Sequence, residues 1–463
     1  MRFMRKAAFA AVLSCAVIWS SCGDTYRPIA YPNITPSPDP STTDYVVVAN
    51  NNATGPSSAT IIDVSGGTNM AERRLGVGVQ QLFFDASLNI FAPDPGSDAI
   101  SVTTIGTVNG QQDSVQTRLL DQGSHPISLS PINYSSFLST YIVDTGFVSP
   151  CSSSGSVRQF DLSSHVAISH NICVGPSPVY SVLSQDQSQL FVLDNDGHVY
   201  VMNTKSETTD LANPITVGSN PVYARLSLDG KYLYVLNSGS ASISVIDTAF
   251  TNATTAVIAT VPTGGSSPSY MTIDRQYQRL YVTNTGSNSV SMFDVTNSAN
   301  VVPIQTGIPV GSAPNSLAVL KDGSKVYVSN SASNVVSVID AVSKDASLGY
   351  RVVKSVSVGA NLSDSSTRVN WVAASNDGSR VFAATTVNGD LKNATSIIDT
   401  NTDTLATDSK TGTPIFVSAP LQCDPSLGDT CTCDPKSQQC PLMRPVFVLN
   451  RVSTYDNSTA TSN

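Results

Sequence analysis

Leu233-Tyr234-Val235-Leu236-Asn237, Leu280-Tyr281-Val282-Thr283-Asn284 and Val326-Tyr327-Val328-Ser329-Asn330 are three copies of one pattern. A repeat this short cannot bury its own apolar face, so each copy must pack against its neighbours in an array. A Gly/Ser/Asn turn follows each copy, then a second alternating run ending in Asp247, Asp294 or Asp340, always ten residues after the Asn. Alternation of period two between turn residues predicts strands. Weaker copies at Val47–Asn50, Phe91–Asp94, Ile142–Asp144, Phe191–Asp194 and Phe382–Thr385 extend the series, with successive copies 43 to 55 residues apart. That spacing is the length of one four-stranded unit with its turns.

A second mark precedes most copies: Gly-x-x-Pro at Gly123–Pro126, Gly175–Pro178, Gly218–Pro221, Gly265–Pro268 and Gly311–Pro314. A glycine free to take positive φ, then a proline that cannot donate to a ladder, suits a crossing from the outer strand of one unit to the inner strand of the next. Asp229-Gly230, Asp322-Gly323 and Asp377-Gly378 read as hairpin turns between apolar runs. The first copy has no strand pattern ahead of it, but Arg444-Pro445-Val446-Phe447-Val448-Leu449 resembles Asn220-Pro221-Val222-Tyr223-Ala224-Arg225. The C-terminal strand is therefore expected to complete the first unit and close a ring, which removes exposed sheet edges.

Tyr281-Val282-Thr283-Asn284 spells the signature of the YVTN-repeat β-propeller family, and the resemblance covers most of the chain after residue 43. It implies an all-β propeller of four-stranded antiparallel blades. The copies count to eight, against the seven usual in that family. The expected propeller spans residues 44–452, with a cysteine-rich insertion at 421–443 and a polar tail at 453–463. Only 13 % of residues are charged, which fits strands and polar turns better than salt-bridged helices.

Arg2, Arg5 and Lys6 precede a mostly apolar run from Ala7 to Trp19 and the small pair Ser20 and Ser21, the layout of a secretory signal over residues 1–21. The run is shorter than the roughly 20 residues of a spanning helix. It resembles the bacterial lipoprotein signal, with Trp19 where that family usually has Leu, and the resemblance makes Cys22 the acylated residue of a membrane-anchored envelope protein. The alternative is an ordinary cleaved signal that leaves Cys22 as a free thiol. Residues 22–43 carry Pro28, Pro32, Pro36, Pro38 and Pro40 and read as an extended tether. Loss of the signal takes the net charge from −9 to −12, which argues against a nucleic-acid partner.

Six cysteines then remain, and an exported compartment favours disulfides. Cys151 and Cys173 fall within one blade and are expected to pair. Cys423, Cys431, Cys433 and Cys440 crowd the late insertion, where three pairings are open. Their spacing is not the usual paired two-residue spacing of a zinc site, so no metal is expected. Asn237, Asn284 and Asn330 are expected to be structural residues at strand ends, bonding nearby backbone and tolerating turn geometry. Asp194-Asn195-Asp196-Gly197 lacks the register of a calcium loop and reads as a hairpin turn. Gly76-Val77-Gly78 lacks the third glycine of a dinucleotide fingerprint and reads as a strand junction. His125, His165, His170 and His198 form no metalloprotease motif, and no Gly-x-Ser-x-Gly elbow occurs.

These observations favour a non-enzymatic binding scaffold of the cell envelope, anchored by lipid, with a protein or other surface ligand on one propeller face and no cofactor. Two other readings stay open: an enzyme related to lactonase-like hydrolases or quinoprotein dehydrogenases, which use similar repeats, and an adhesion or surface-layer component. A cluster of Asp, Glu, His or Arg at one mouth of the channel would favour the enzyme. Trp371 is the only tryptophan beyond the signal, so sugar binding through stacked aromatics has little support.

Overall fold

In the computed structural model the described residues are 45–450, apart from 53–54, 65–67, 86–88, 106, 109–110, 113–114, 132–137, 343–348, 389–391 and 423–440. Cys22 and the cysteines at 423, 431, 433 and 440 lie outside them. Eight antiparallel sheets form eight blades of a propeller, and the helical pieces among the described residues are two 3-10 turns, Ala253–Thr255 and Thr285–Ser287. From axis to rim, blade 5 is Pro221–Leu226, Tyr232–Asn237, Ser242–Asp247 and Val257–Pro262, and blade 6 is Pro268–Asp274, Arg279–Asn284, Ser289–Asp294 and Val302–Pro309. In blades 3, 4 and 8 the outer strand is broken into two short pieces. Blade 3 ends in this way with Val166–Ala167 and Ile172–Cys173.

All eight sequence copies are second strands, and their apolar residues are buried. A second strand has neighbours on both edges and a blade against each face, so no side of it meets water. The copies' Tyr234, Tyr281 and Tyr327 are fully buried, and two of them reach an adjacent or following blade. Tyr234 donates to the Ser298 carbonyl at 2.7 Å, and Tyr327 donates to Asp403, which also receives Lys325 at 2.7 Å.

Blade 1 is closed as expected. Its inner strand is Arg444–Asn450, paired antiparallel with Tyr45–Asn51 in the register Val47↔Leu449 and Val48↔Val448. The outer strands Pro56–Asp63 and Thr68–Val77 precede every other blade in the chain.

The crossing segments correct one expectation. Gly123 does take positive φ, but at Gly175, Gly218, Gly265 and Gly311 the left-handed conformation is absent. In the last three it falls instead on the residue before the proline, with φ of 52° at Asn220, 48° at Ser267 and 54° at Ala313, while His125 takes it at 50° in addition to Gly123 and the Gly175 crossing has it at neither place. The glycines are needed for close approach. A Cβ at Gly265 would lie 2.5 Å from the Asn284 amide carbon, and one at Gly311 would lie 2.6 Å from that of Asn330. The crossings at Gly175, Gly218, Gly265 and Gly311 thus lie flat on the side chain that ends the next blade's second strand, where no larger residue fits, whereas a Cβ at Gly123 would meet nothing within 4 Å.

Cys151, in the connection after Ser139–Asp144, is bonded to Cys173 on the outer piece Ile172–Cys173. The bond closes a loop with a sequence separation of 22. Serine at both positions is expected to cost about 3 kcal/mol. Urea denaturation under oxidising conditions measures this, and an unchanged midpoint would show that the bond adds no stability.

Candidate functional site

The inner strands build the site. In seven blades the pairing between inner and second strand shifts register after the first residues, as between Pro221 and Tyr223, Pro268 and Tyr270, and Val369 and Trp371. Such a bulge re-aims the side chain beside it. In five blades the residue after the bulge is aromatic and lines the central cavity: Tyr180, Tyr223, Tyr270, Trp371 and Phe447. These rings form one arc, with centroid separations of 4.8, 4.9, 5.1 and 4.7 Å in that order. Blade 7 carries Ser316 at the equivalent position, and that small residue lets the Tyr270 ring reach Trp371 across it.

The cavity has a volume of about 580 Å³ and takes lining residues from every sector of the ring. It extends from the aromatic arc to the turns after the inner strands, including the exposed Gln276 and Lys321, and so reaches the face on which first and second strands are joined. Its charged lining is Arg225, Arg275, Lys321 and Asp274. Arg225 donates to the Thr272 hydroxyl of the next blade at 3.0 Å, which fixes its guanidinium on the wall. Asp274 is buried, and its two oxygens accept the backbone N–H groups of Gln276 at 2.8 Å and Tyr277 at 3.2 Å, so this carboxylate organises a turn. Burial, with Tyr223 and Tyr270 alongside, holds the Tyr180 phenol well above its ordinary pKa, and it stays neutral.

Bonds from blade to blade stiffen the wall at the starts of the inner strands. Thr285 donates to the Pro314 carbonyl at 2.6 Å, Asn315 donates to the Asn370 carbonyl, and Asn370 of blade 8 donates to the Pro445 carbonyl of the closing strand at 2.6 Å. A wall held in this way loses little conformational freedom when it receives a ligand.

Asn237, Asn284 and Asn330 lie away from this cavity lining. They are fully buried at the ends of second strands, and Asn284 has extended backbone with φ −107°. Asn237 donates to Ser242 and Ser244, Asn284 donates to Ser291 at 3.0 Å, and Asn330 donates to the Val335 carbonyl at 2.8 Å and to Ser337. Their structural role is exercised between strands and under the crossing glycines rather than in a left-handed turn. Asn50 holds the same place in blade 1, while blades 2, 3 and 4 hold Asp94, Asp144 and Asp194 there. Burial pushes the carboxyls of Asp94 and Asp144 up to about 7. In Asp144 it does so although Arg158 donates to it at 2.9 Å.

Asp194–Gly197 forms the turn between Gln189–Asp194 and His198–Asn203, with Gly197 at φ 94°. Among the described residues no three His, Cys, Asp or Glu side chains come together as metal ligands. Gly76 and Val77 end an outer strand, with Gly76 packed on Asp94. None of the four histidines lines the cavity. The aromatic arc was missed from sequence, although a signal existed. Tyr180, Tyr223, Tyr270 and Phe447 each stand two residues after an inner-strand proline, and a search centred on tryptophan passes over them.

The family model described as "Lactonase, 7-bladed beta-propeller" matches residues 144–270 and 248–363, from the end of a second strand in blade 3 through the last strand of blade 7. No curated protein sequence matches the chain. Among solved structures, the dihydro-heme d1 dehydrogenase NirN in complex with DHE is similar at a TM-score of 0.61 and 12 % identity, over 91 % of this chain and 78 % of that one. A protein from Lactobacillus plantarum is similar at a TM-score of 0.51 and 16 % identity, over 68 % of this chain and 96 % of that one. At these identities the likeness is one of fold. Within that fold the chain has eight blades, one more than the matching family model is named for.

Proposed function

We propose that the protein is a non-enzymatic binding propeller of the bacterial cell envelope, held to the membrane through a lipid on Cys22, whose ligand enters the central cavity. The supporting observation is the composition of the cavity wall. Aromatic rings, most of them half-buried, and three cations, of which Arg225 is held by Thr272, line it, and its one carboxylate is engaged by backbone amides. Cavities of 300–1,000 Å³ with apolar walls and a few placed polar groups suit small-molecule binding. General acid–base chemistry needs a proton acceptor within hydrogen-bond reach of the substrate, and neither Asp274 nor the neutral Tyr180 is poised as one.

The match to the lactonase model favours a second reading, hydrolysis of a lactone in the same cavity. One experiment separates the two. The purified full chain is analysed by native mass spectrometry for a co-purified small molecule and is incubated with a panel of γ- and δ-lactones. A retained molecule without lactone turnover supports the binding reading. Turnover that Asp274→Asn abolishes overturns it. The anchor is tested separately by Cys22→Ala, which is expected to move the protein from the membrane fraction to the soluble one.

A further inference from the structure

We infer that the cavity selects a ligand with a flat conjugated or aromatic face and an anionic head, the face lying on the arc from Tyr180 to Phe447 and the head meeting Arg225. This rests on the binding reading above and assigns its ligand class. The arc is not demanded by the propeller itself. At the position after the bulge, blades 3 and 7 carry Ser128 and Ser316, both buried, and their inner strands pair as the others do. The fold therefore accepts serine where five other blades present a ring. Tyr223, Tyr270, Trp371 and Phe447 are only half-buried, and the surface left to them faces the cavity. Rings 4.7 to 5.1 Å apart around a wall offer an extended π surface, against which a planar group stacks in offset or edge-on contact.

The charge of the cavity points the same way. The chain as a whole carries −9, yet this lining holds three cations and one carboxylate. A cleft of one sign with low-dielectric walls concentrates ligands of the other. The Arg225 guanidinium lies one layer from Tyr223 on the same inner strand and is steadied by Thr272. A planar guanidinium matches a carboxylate or sulfonate with two parallel bonds, which an ammonium cannot do. Arg275 and Lys321 stand nearer the mouth, where they attract an anion on entry.

The test uses the full chain and measures the binding of three probes by isothermal titration calorimetry. 2-Naphthoate has both features, 2-naphthalenemethanol lacks the charge, and cyclohexanecarboxylate lacks the flat face. Naphthoate is expected to bind about tenfold more tightly than either of the others. Arg225→Gln is expected to remove that advantage over the alcohol without weakening alcohol binding, and Arg225→Lys is expected to retain part of it. Tyr270→Leu is expected to weaken both naphthalene probes. Circular dichroism and the melting temperature of each variant show that the fold is kept. Equal binding of naphthoate and the alcohol, or a naphthoate affinity indifferent to Arg225, overturns the ligand class while leaving the binding reading standing. Lactone turnover in a cavity that still prefers naphthoate overturns the non-enzymatic reading and leaves the ligand class standing. The absence of binding by any probe overturns the ligand class.

Discussion

A chain ending at Met443 is expected to lose the soluble cooperative fold, whereas one ending at Asn450 is expected to keep it. The strand Arg444–Asn450 supplies the inner edge of blade 1, and without it Tyr45–Asn51 presents a row of unpaired backbone groups on a strand that is apolar from Tyr45 to Ala49. Val448 and Leu449 are 2 % and 6 % exposed, and burial of each contributes roughly 1.5–3 kcal/mol. The ladder and the Asn370 bond to the Pro445 carbonyl are lost as well. An uncovered apolar edge is a site of aggregation. Yield in the soluble fraction and a thermal melt measure the outcome. A chain ending at Met443 that stays soluble and melts as the full protein does would show that the ring is stable open.

Asp94→Asn is expected to stabilise the protein above pH 7 and to flatten its stability between pH 4 and pH 7. Asp94 is fully buried, accepts the Ser101 hydroxyl at 2.6 Å, and has its carboxyl raised by burial from 3.8 to about 7. A raised pKa means that the folded state holds a proton which the unfolded state has released. The stabilisation is therefore complete below pH 3.8 and is lost as pH rises through 7. One pKa unit corresponds to about 1.4 kcal/mol, so the loss between pH 5 and pH 7 is on the order of 2–3 kcal/mol. For a domain of this size that is roughly 3 °C in Tm. Asparagine already occupies the equivalent place in blades 1, 5, 6 and 7, where its amide donates to hydroxyls of the third strand. It carries no charge to desolvate. The same change at Asp144 is expected to be unfavourable, because it leaves the buried Arg158 without that partner. Tm measured from pH 4 to pH 8 for both variants decides the matter. A wild-type profile that is flat between pH 5 and pH 7 would be inconsistent with a buried, protonated Asp94.

The blades were legible in the sequence because each second strand is buried on both faces, which forces a dense apolar signature such as Leu280 to Asn284. The seam was legible for a related reason: Arg444 to Leu449 repeats the inner-strand pattern of Asn220 to Arg225. The crossing glycines were legible as positions but not as causes. A glycine's need for space is set by Asn284 or Asn330, which reaches it only in three dimensions. Blade 8 begins at Arg368–Val369 without the proline mark, and the inner strand of blade 2 is reduced to Phe83–Phe84, so neither announces itself locally. The site was the least legible part. Its arc gathers one residue from each of five blades, a set with no spacing shorter than a blade. Ser316 matters there because its smallness lets two rings meet across it.

The pairing of Val48 with Val448 joins two ends of a nearly complete chain. Synthesis at 5–20 residues per second separates the two strands by roughly 20–80 s. Blades 4 to 7 are built from consecutive strands and need only their own residues and near neighbours, so they can form as the polypeptide emerges. Blade 1 must wait, one strand short, through all of it. The seam is thus the last part of the molecule to acquire structure, and a chaperone that shields one nascent segment has most to gain by holding residues 45–51.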